Sequence, residues 1–216
     1  FKQKPAYAIL SGLVGSEMCI RDSYTTIKVG GVAEYFAEPR SIEEFSYLIK
    51  WANLNKQRCQ IIGAGSNLLI NNIFIKGLVV CTKKLKSLKI DPYSGIVEAE
   101  AGVMLPTLSN SLAKNGLQGG EWAVGIPGTL GGAIYMNAGT GNLSLAKNLI
   151  SVKVINNKTN EKLEIEKKDI NFEYRFSSFQ KNDLTIISAR LHFEPNGNLE
   201  QLIQTTKNNL KLKTET

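Results

Sequence analysis

The segment Gly125-Ile126-Pro127-Gly128-Thr129-Leu130-Gly131-Gly132-Ala133-Ile134-Tyr135-Met136-Asn137-Ala138-Gly139 gathers five glycines into one short stretch. Glycine permits positive φ and lets a ligand approach the main chain closely. Pro127 fixes a bend ahead of the tightest part. Thr129 is placed to cap a short helix over residues 130–136. The first amides of such a helix, those of Leu130, Gly131 and Gly132, then have no intrahelical partners and point outward as an anion site. A tight loop before a buried helix that crosses a neighbour closely carries the same pattern. A second cluster, Gly63-Ala64-Gly65-Ser66-Asn67, poses a similar choice. A dinucleotide fingerprint needs a third glycine and then a helix, yet Leu68-Leu69-Ile70 reads on as strand. A P-loop needs Lys-Ser/Thr after its last glycine, and that is absent. What remains is a strand–loop–strand whose successive amides form a nest for a pyrophosphate, with donors added by Ser66 and Asn67. A plain hairpin loop is the alternative. Two such loops in one chain point to an extended, phosphate-bearing ligand.

The rest of the composition narrows the chemistry. The chain has 216 residues, 43% hydrophobic and 21% charged, which is a globular balance. Its net charge of +7 favours anionic partners. The lysines do not alternate with aromatic residues, so a phosphorylated small molecule fits better than nucleic acid. Three cysteines, Cys19, Cys59 and Cys81, are too few and too scattered for a disulfide framework or a zinc site. They indicate a reducing, cytoplasmic setting. No apolar run reaches membrane-spanning length. The single histidine, His192, lies in a strand-like run, so a histidine-based triad or metal cluster is excluded. An enzyme built from these residues relies on a cofactor for its hard chemistry, and a redox nucleotide fits better than a hydrolysed one.

Periodicity supplies the framework that holds these loops. Residues 1–23 differ in character from the remainder of the chain; the run 11–23 looks like translated adapter sequence, and residues 1–23 are expected to be a non-native leader without functional role, the native chain starting near Tyr24. Residues 27–36 read as a strand broken at Gly30-Gly31. Ser41 and Glu44 form a capping box before a helix that buries Phe45, Leu48, Ile49 and Ala52. A strand over 58–62 completes a β-α-β unit. Strands are expected at 78–81, 85–90 and 96–101, with Asp91–Gly95 as a turn. A helix over 106–115 starts at Pro106 and stops at Gly116. Trp122 reads as core. Strands at 150–155 and 162–165 come next, the first with Ser151 and Lys153 on a wet face. Then come the aromatic-flanked Tyr174-Arg175, a strand over 184–193, a turn at 195–198 and a polar helix over 199–212.

Taken in order, four pieces resemble the FAD-dependent UDP-N-acetylenolpyruvoylglucosamine reductases of bacterial peptidoglycan synthesis. They are Tyr24-Thr25-Thr26 through Gly30-Gly31-Val32-Ala33, then Gly63-Ala64-Gly65-Ser66-Asn67-Leu68-Leu69, then residues 125–139, and Tyr174-Arg175 with Ser177 and Phe179. The resemblance implies an α+β fold, an FAD-binding domain of the PCMH or vanillyl-alcohol-oxidase type made of two α+β subdomains, 24–83 and 84–196. Residues 197–216 then begin a substrate domain that is otherwise missing. It implies non-covalently bound FAD contacted by Gly63, Ala64, Gly65, Ser66, Asn67, Leu68, Gly125, Ile126, Pro127, Gly128, Thr129, Gly131, Gly132, Ala133 and Asn137. It also implies NADPH as co-substrate, a nucleotide-sugar substrate walled by Tyr174, catalytic Arg175, no metal, and no nucleic-acid or membrane partner. The family's protonating serine and assisting glutamate belong to that third domain, so Ser177 and Ser178 are not put in their place. FAD binding without turnover is therefore an open alternative. A sugar or hydroxy-acid oxidase on the same fold would want a His or Cys beside a flavin loop, and His192 and the cysteines lie outside both.

Overall fold

The computed structural model describes residues 31–68 and 74–214 and the backbone of Val14–Cys19. The chain divides into two units, one ending at Leu85 and the other beginning at Lys86. In the first unit, strands β1 (Val14–Cys19) and β2 (Val32–Ala37) precede helix α1 (Ile42–Leu54), and β3 (Cys59–Ile62) and β4 (Phe74–Cys81) come after it. Helix α1 buries Phe45, Leu48, Ile49 and Ala52, the face its spacing marks out. The Ser41 hydroxyl accepts from Glu44 N–H at 3.2 Å. The Glu44 carboxylate reaches back to Arg40 N–H at 2.7 Å rather than to Ser41 N–H, so the capping box closes one residue early. The strand order is β1-β2-β4-β3, with β4 parallel to both β2 and β3 and β1 antiparallel to β2. The expected β-α-β unit is therefore split: β2 and β3 do not pair, because the longer, more apolar β4 lies between them. Residues 27–30, where the broken strand was expected to begin, lie outside the described residues.

The second unit is antiparallel. Its strands β5 (Leu88–Ile90), β6 (Ile96–Glu100), β9 (Leu149–Asn156), β10 (Lys162–Glu166) and β13 (Leu184–His192) form one sheet, ordered β10-β9-β13-β6-β5. Helices α2 (Leu105–Lys114), α3 (Leu130–Tyr135), α4 (Leu145–Asn148) and α5 (Leu199–Thr214) belong to this unit, as do two short ribbons. One ribbon pairs β7 (Gly139–Thr140) with β8 (Leu143–Ser144); the other pairs β11 (Phe172–Glu173) with β12 (Phe176–Ser177). Pro106 stands in the first turn of α2 and Gly116 comes just past its end with φ 69°. Leu105, Leu108 and Leu112 pack with Val97, Ala99, Val152, Val154 and Leu191 in one apolar core. Trp122 is in that core, and its indole N–H donates to Gly119 O.

One expectation for this unit is corrected. Of the two positions expected on a wet face of β9, Lys153 is exposed but Ser151 is buried, its hydroxyl donating to the Glu164 carboxylate of β10 at 2.6 Å. Helix α5 buries Leu202 and Thr206 and falls in the second unit.

Candidate functional site

The loop at residues 63–67 leaves the C-terminal end of β3, beside its parallel neighbour β4. Ligands of open sheets with parallel strands collect at such ends. Two side chains, one at the end of β4 and one just past it, hold its root. The Cys81 thiol donates to Gly63 O at 3.3 Å, and Thr82 Oγ1 donates to Ile62 O at 3.2 Å. Burial pushes the Cys81 thiol up to about 11, so it stays protonated and keeps its donor. Gly65 has φ 65°, and Leu68 N–H closes a turn on Gly65 O at 3.5 Å. Leu68 is therefore a turn residue and not the start of a strand; Leu69 and Ile70 lie outside the described residues. Among the described residues, the N–H groups of Ala64, Gly65, Ser66 and Asn67 have no backbone partner. Successive amides around a left-handed glycine are the geometry of an anion nest.

In the second unit, Thr129 caps α3 as its type and place suggest, its hydroxyl accepting from Gly132 N–H at 3.4 Å. The amides after it are not free, however. Leu130 N–H donates to Val103 O at 2.8 Å, and Gly131 N–H donates to Ala101 O at 2.8 Å. With Gly132 held by the cap, all three amides read as an outward-pointing anion site are spent inside the fold. Their partners come from the segment between β6 and α2, which runs antiparallel to the glycine stretch through the Met104–Thr129 bridge. Gly131 is needed for that approach, because a Cβ there would lie 2.9 Å from the Ala101 Cβ. The amides without a partner among the described residues are those of Gly128 and Thr129, one step earlier. Gly128 takes φ 133°, and a Cβ there would meet open space. Gly125 closes a 3-10 turn, Ile126 N–H donates to Ala123 O, and Ala133 N–H donates to Thr129 O as the first regular helical bond.

Just past the end of α3, Asn137 stands in the left-handed region at φ 43°. Its Nδ2 donates to Glu173 O at 2.9 Å, while its Oδ1 is buried with no hydrogen-bond partner among the described residues. An unpaired buried acceptor is costly, and a ligand donor would relieve it. With the free amides, this acceptor fits a ligand carrying both anionic oxygens and ring N–H donors, as FAD does.

Asn137 thus touches the hairpin that carries Tyr174 and Arg175, which form the two-residue turn between β11 and β12. Arg175 has φ 55°, unusual for a residue with a long side chain. Its Nη2 donates to Gly139 O at 3.3 Å, and its guanidinium lies 5.5 Å from the centre of the Tyr174 ring. Tyr174 itself is 90% exposed. Among the described residues, no carboxylate lies within ion-pair distance of Arg175. An exposed guanidinium held at one edge keeps donors for an incoming carboxylate. The hairpin is latched to the end of α3 from its other side. Ser177 Oγ donates to Tyr135 O at 2.7 Å, and Gln180 Nε2 donates to the same carbonyl at 2.9 Å and to Arg175 O at 3.2 Å. Ser177 is fully buried, its hydroxyl already committed.

The structure therefore brings Asn137, Gly139, Tyr174 and Arg175 together in the second unit, whereas residues 63–68 belong to the first. Sequence reading missed Gln180 altogether. A lone glutamine after an aromatic run carries no signal until the turn places its amide against two carbonyls. Groups of histidine, cysteine, aspartate and glutamate able to hold a metal are absent among the described residues.

Comparison with known proteins gives these loops a context. Residues 33–162 match the family model described as FAD binding domain. UDP-N-acetylenolpyruvoylglucosamine reductase of Prochlorococcus marinus subsp. pastoris (strain CCMP1986 / NIES-2087 / MED4) is 70% identical over 194 residues, covering 90% of this chain and 66% of that protein. The protein of the same name from Prochlorococcus marinus (strain MIT 9313) is 43% identical over 208 residues, covering 96% of this chain and 68% of that protein. A crystal structure of UDP-N-acetylenolpyruvylglucosamine reductase (MurB) from Thermus caldophilus matches with a TM-score of 0.77 at 25% identity, over 93% of this chain and 70% of that one. The chain spans about two thirds of the length of the curated relatives it matches. By its FAD-binding domain and its identity to these reductases along nearly its whole length, the chain belongs to the UDP-N-acetylenolpyruvoylglucosamine reductase family.

Proposed function

We propose that this chain carries the flavin-binding and hydride-transfer part of a reductase that converts UDP-N-acetylenolpyruvoylglucosamine to UDP-N-acetylmuramate with NADPH, in the cytoplasm. Bound FAD would supply two-electron chemistry, taking hydride from NADPH and passing it to the enolpyruvyl double bond. The residues proposed to hold it are those at 63–68, 125–129 and 131–133 together with Asn137. In the second segment the working donors are the amides of Gly128 and Thr129, and the Asn137 Oδ1 is the acceptor. Gly132 acts through shape, leaving open the place at the start of α3 where its side chain would stand, whereas Gly131 lets that start pack against Ala101.

The observation that carries the proposal is Arg175, exposed on a strained hairpin tip and tied to the end of the glycine helix. Hydride arriving at the methylene carbon of an enolpyruvyl ether leaves an electron pair on the carbon beside the carboxylate. A fixed guanidinium pairs with that carboxylate and with the enolate oxygen as charge develops, then holds both while a proton is added to that carbon. Tyr174 lines the approach. Ser177 does not deliver the proton, since its hydroxyl is buried and bound to Tyr135 O. No nucleic-acid or membrane partner is needed, and among the described residues no helix is long and apolar enough to cross a membrane.

The visible spectrum of the purified chain tests this. Yellow protein that NADPH bleaches, and that the enolpyruvyl substrate then re-oxidises, supports the proposal. Colourless protein that takes up no FAD on refolding overturns it. Arg175→Ala should keep the colour and the bleaching by NADPH but slow re-oxidation by substrate about 100-fold or more. In a second reading these residues hold FAD without turnover. Yellow protein that never turns over would select it.

A further inference from the structure

We propose that Gln180 is a positioning residue for Arg175, setting where the guanidinium stands by gripping the main chain of Arg175 itself. This rests on the role given to Arg175 above. A two-residue hairpin turn does not by itself hold a long side chain in one place. Here the turn is fixed on both flanks. Before it, Glu173 O accepts from Asn137 Nδ2 at 2.9 Å. After it, Ser177 Oγ donates to Tyr135 O at 2.7 Å. These two bonds fix the strands but not the tip. Gln180 reaches the tip. Its Nε2 group has two hydrogens; one serves Tyr135 O at 2.9 Å and the other Arg175 O at 3.2 Å, and Met136 Sδ lies at 3.6 Å.

The Arg175 carbonyl matters because the residue stands at φ 55°, a conformation disfavoured for a side chain of this size. Release of that carbonyl frees rotation about the Arg175 N–Cα bond toward negative φ, which swings Cβ and the guanidinium away from Gly139 O. One amide thus joins the last turn of the glycine helix to the backbone of the cationic residue. The tight turn at Ser178–Lys181 brings Gln180 back over the hairpin to do this.

A double-mutant cycle on the FAD-loaded chain tests the assignment, reading affinity for UDP-N-acetylenolpyruvoylglucosamine by calorimetry. Gln180→Glu keeps the size of the side chain and loses the donor; Gln180→Leu loses both polar atoms and serves as the second variant. Either change should weaken substrate binding about 3- to 10-fold when Arg175 is present, the range one hydrogen bond allows. Neither should weaken it further in the Arg175→Ala background, and FAD affinity should stay unchanged throughout. Equal losses in both backgrounds, or no loss in either, would overturn the proposal, since a merely structural glutamine gives additive effects. An Arg175→Ala change without effect on affinity would instead remove the role assigned to Arg175, and this inference with it.

Discussion

Gly131 and Gly132 are neighbours in sequence and opposites in what they tolerate. Gly131 faces the Ala101 Cβ at 2.9 Å from where its own Cβ would be, with Ala101 O at 3.3 Å. Gly131→Ala must push the start of α3 away from that segment and should cost about 1–3 kcal/mol of stability. Gly132 is exposed, and a Cβ there would meet only Thr129 Oγ1 at 3.6 Å. Gly132→Ala should leave the apo chain as stable, or more stable by up to about 1 kcal/mol through helix propensity. Its loss should appear in FAD affinity if a ligand uses that open face. Denaturant melts of both variants, each paired with an FAD titration, separate the two roles. A Gly132→Ala protein with unchanged FAD affinity would strike that residue from the cofactor contacts.

At the scale of elements, what was legible is what is local. The α1 face, the Pro106 start and Gly116 stop of α2, the Thr129 cap and the 184–193 strand depend on neighbours a few residues away, and the structure carries them. What was not legible depends on distant partners. The amides of Leu130 and Gly131 are spent on carbonyls of Val103 and Ala101, and nothing near position 130 announces that pairing. Likewise β4 separates β2 from β3, and β10 covers the Ser151 side of β9, through long-range order alone. Arg175 could be named as a motif, but its latch through Gln180 could not. The root of the 63–67 loop gives a pH prediction at this scale. Burial raises the Cys81 thiol from 9.0 to about 11. A raised folded value means the thiol's contribution is complete below pH 9 and is lost as pH rises through about 11. Native Cys81 should therefore resist iodoacetamide at pH 8, and unfolding in denaturant should expose it to rapid alkylation. Fast native labelling at pH 8 would contradict the donor role toward Gly63 O.

For the molecule as a whole, folding and cofactor should be linked. A ligand that binds only the folded state stabilises it by RT ln(1 + [L]/Kd), about 2.7 kcal/mol at a hundred times Kd. The melting midpoint of the chain should therefore climb with the logarithm of FAD concentration, whereas flavin-free adenosine should produce a smaller rise. A midpoint indifferent to FAD would mean that the loops do not hold it. The two units can be tracked separately in the same experiment, since Trp51 lies in α1 of the first and Trp122 in the core of the second. Single-tryptophan variants then report which unit the flavin protects.

The small ribbon of β7 and β8 closes through Gly141 and Asn142, and at Gly141, with φ 55°, no atom lies within 4 Å of where a side chain would begin. Its strands start at Gly139, the carbonyl that receives Arg175. Extra sequence spliced at this tip would extend into solvent, at an entropic cost growing only about 0.6 kcal/mol per doubling of loop length. The ribbon is thus a graft point, where an epitope or a dye-bearing peptide can sit a few residues from the guanidinium and report on its surroundings while the sheet and helices stay as they are.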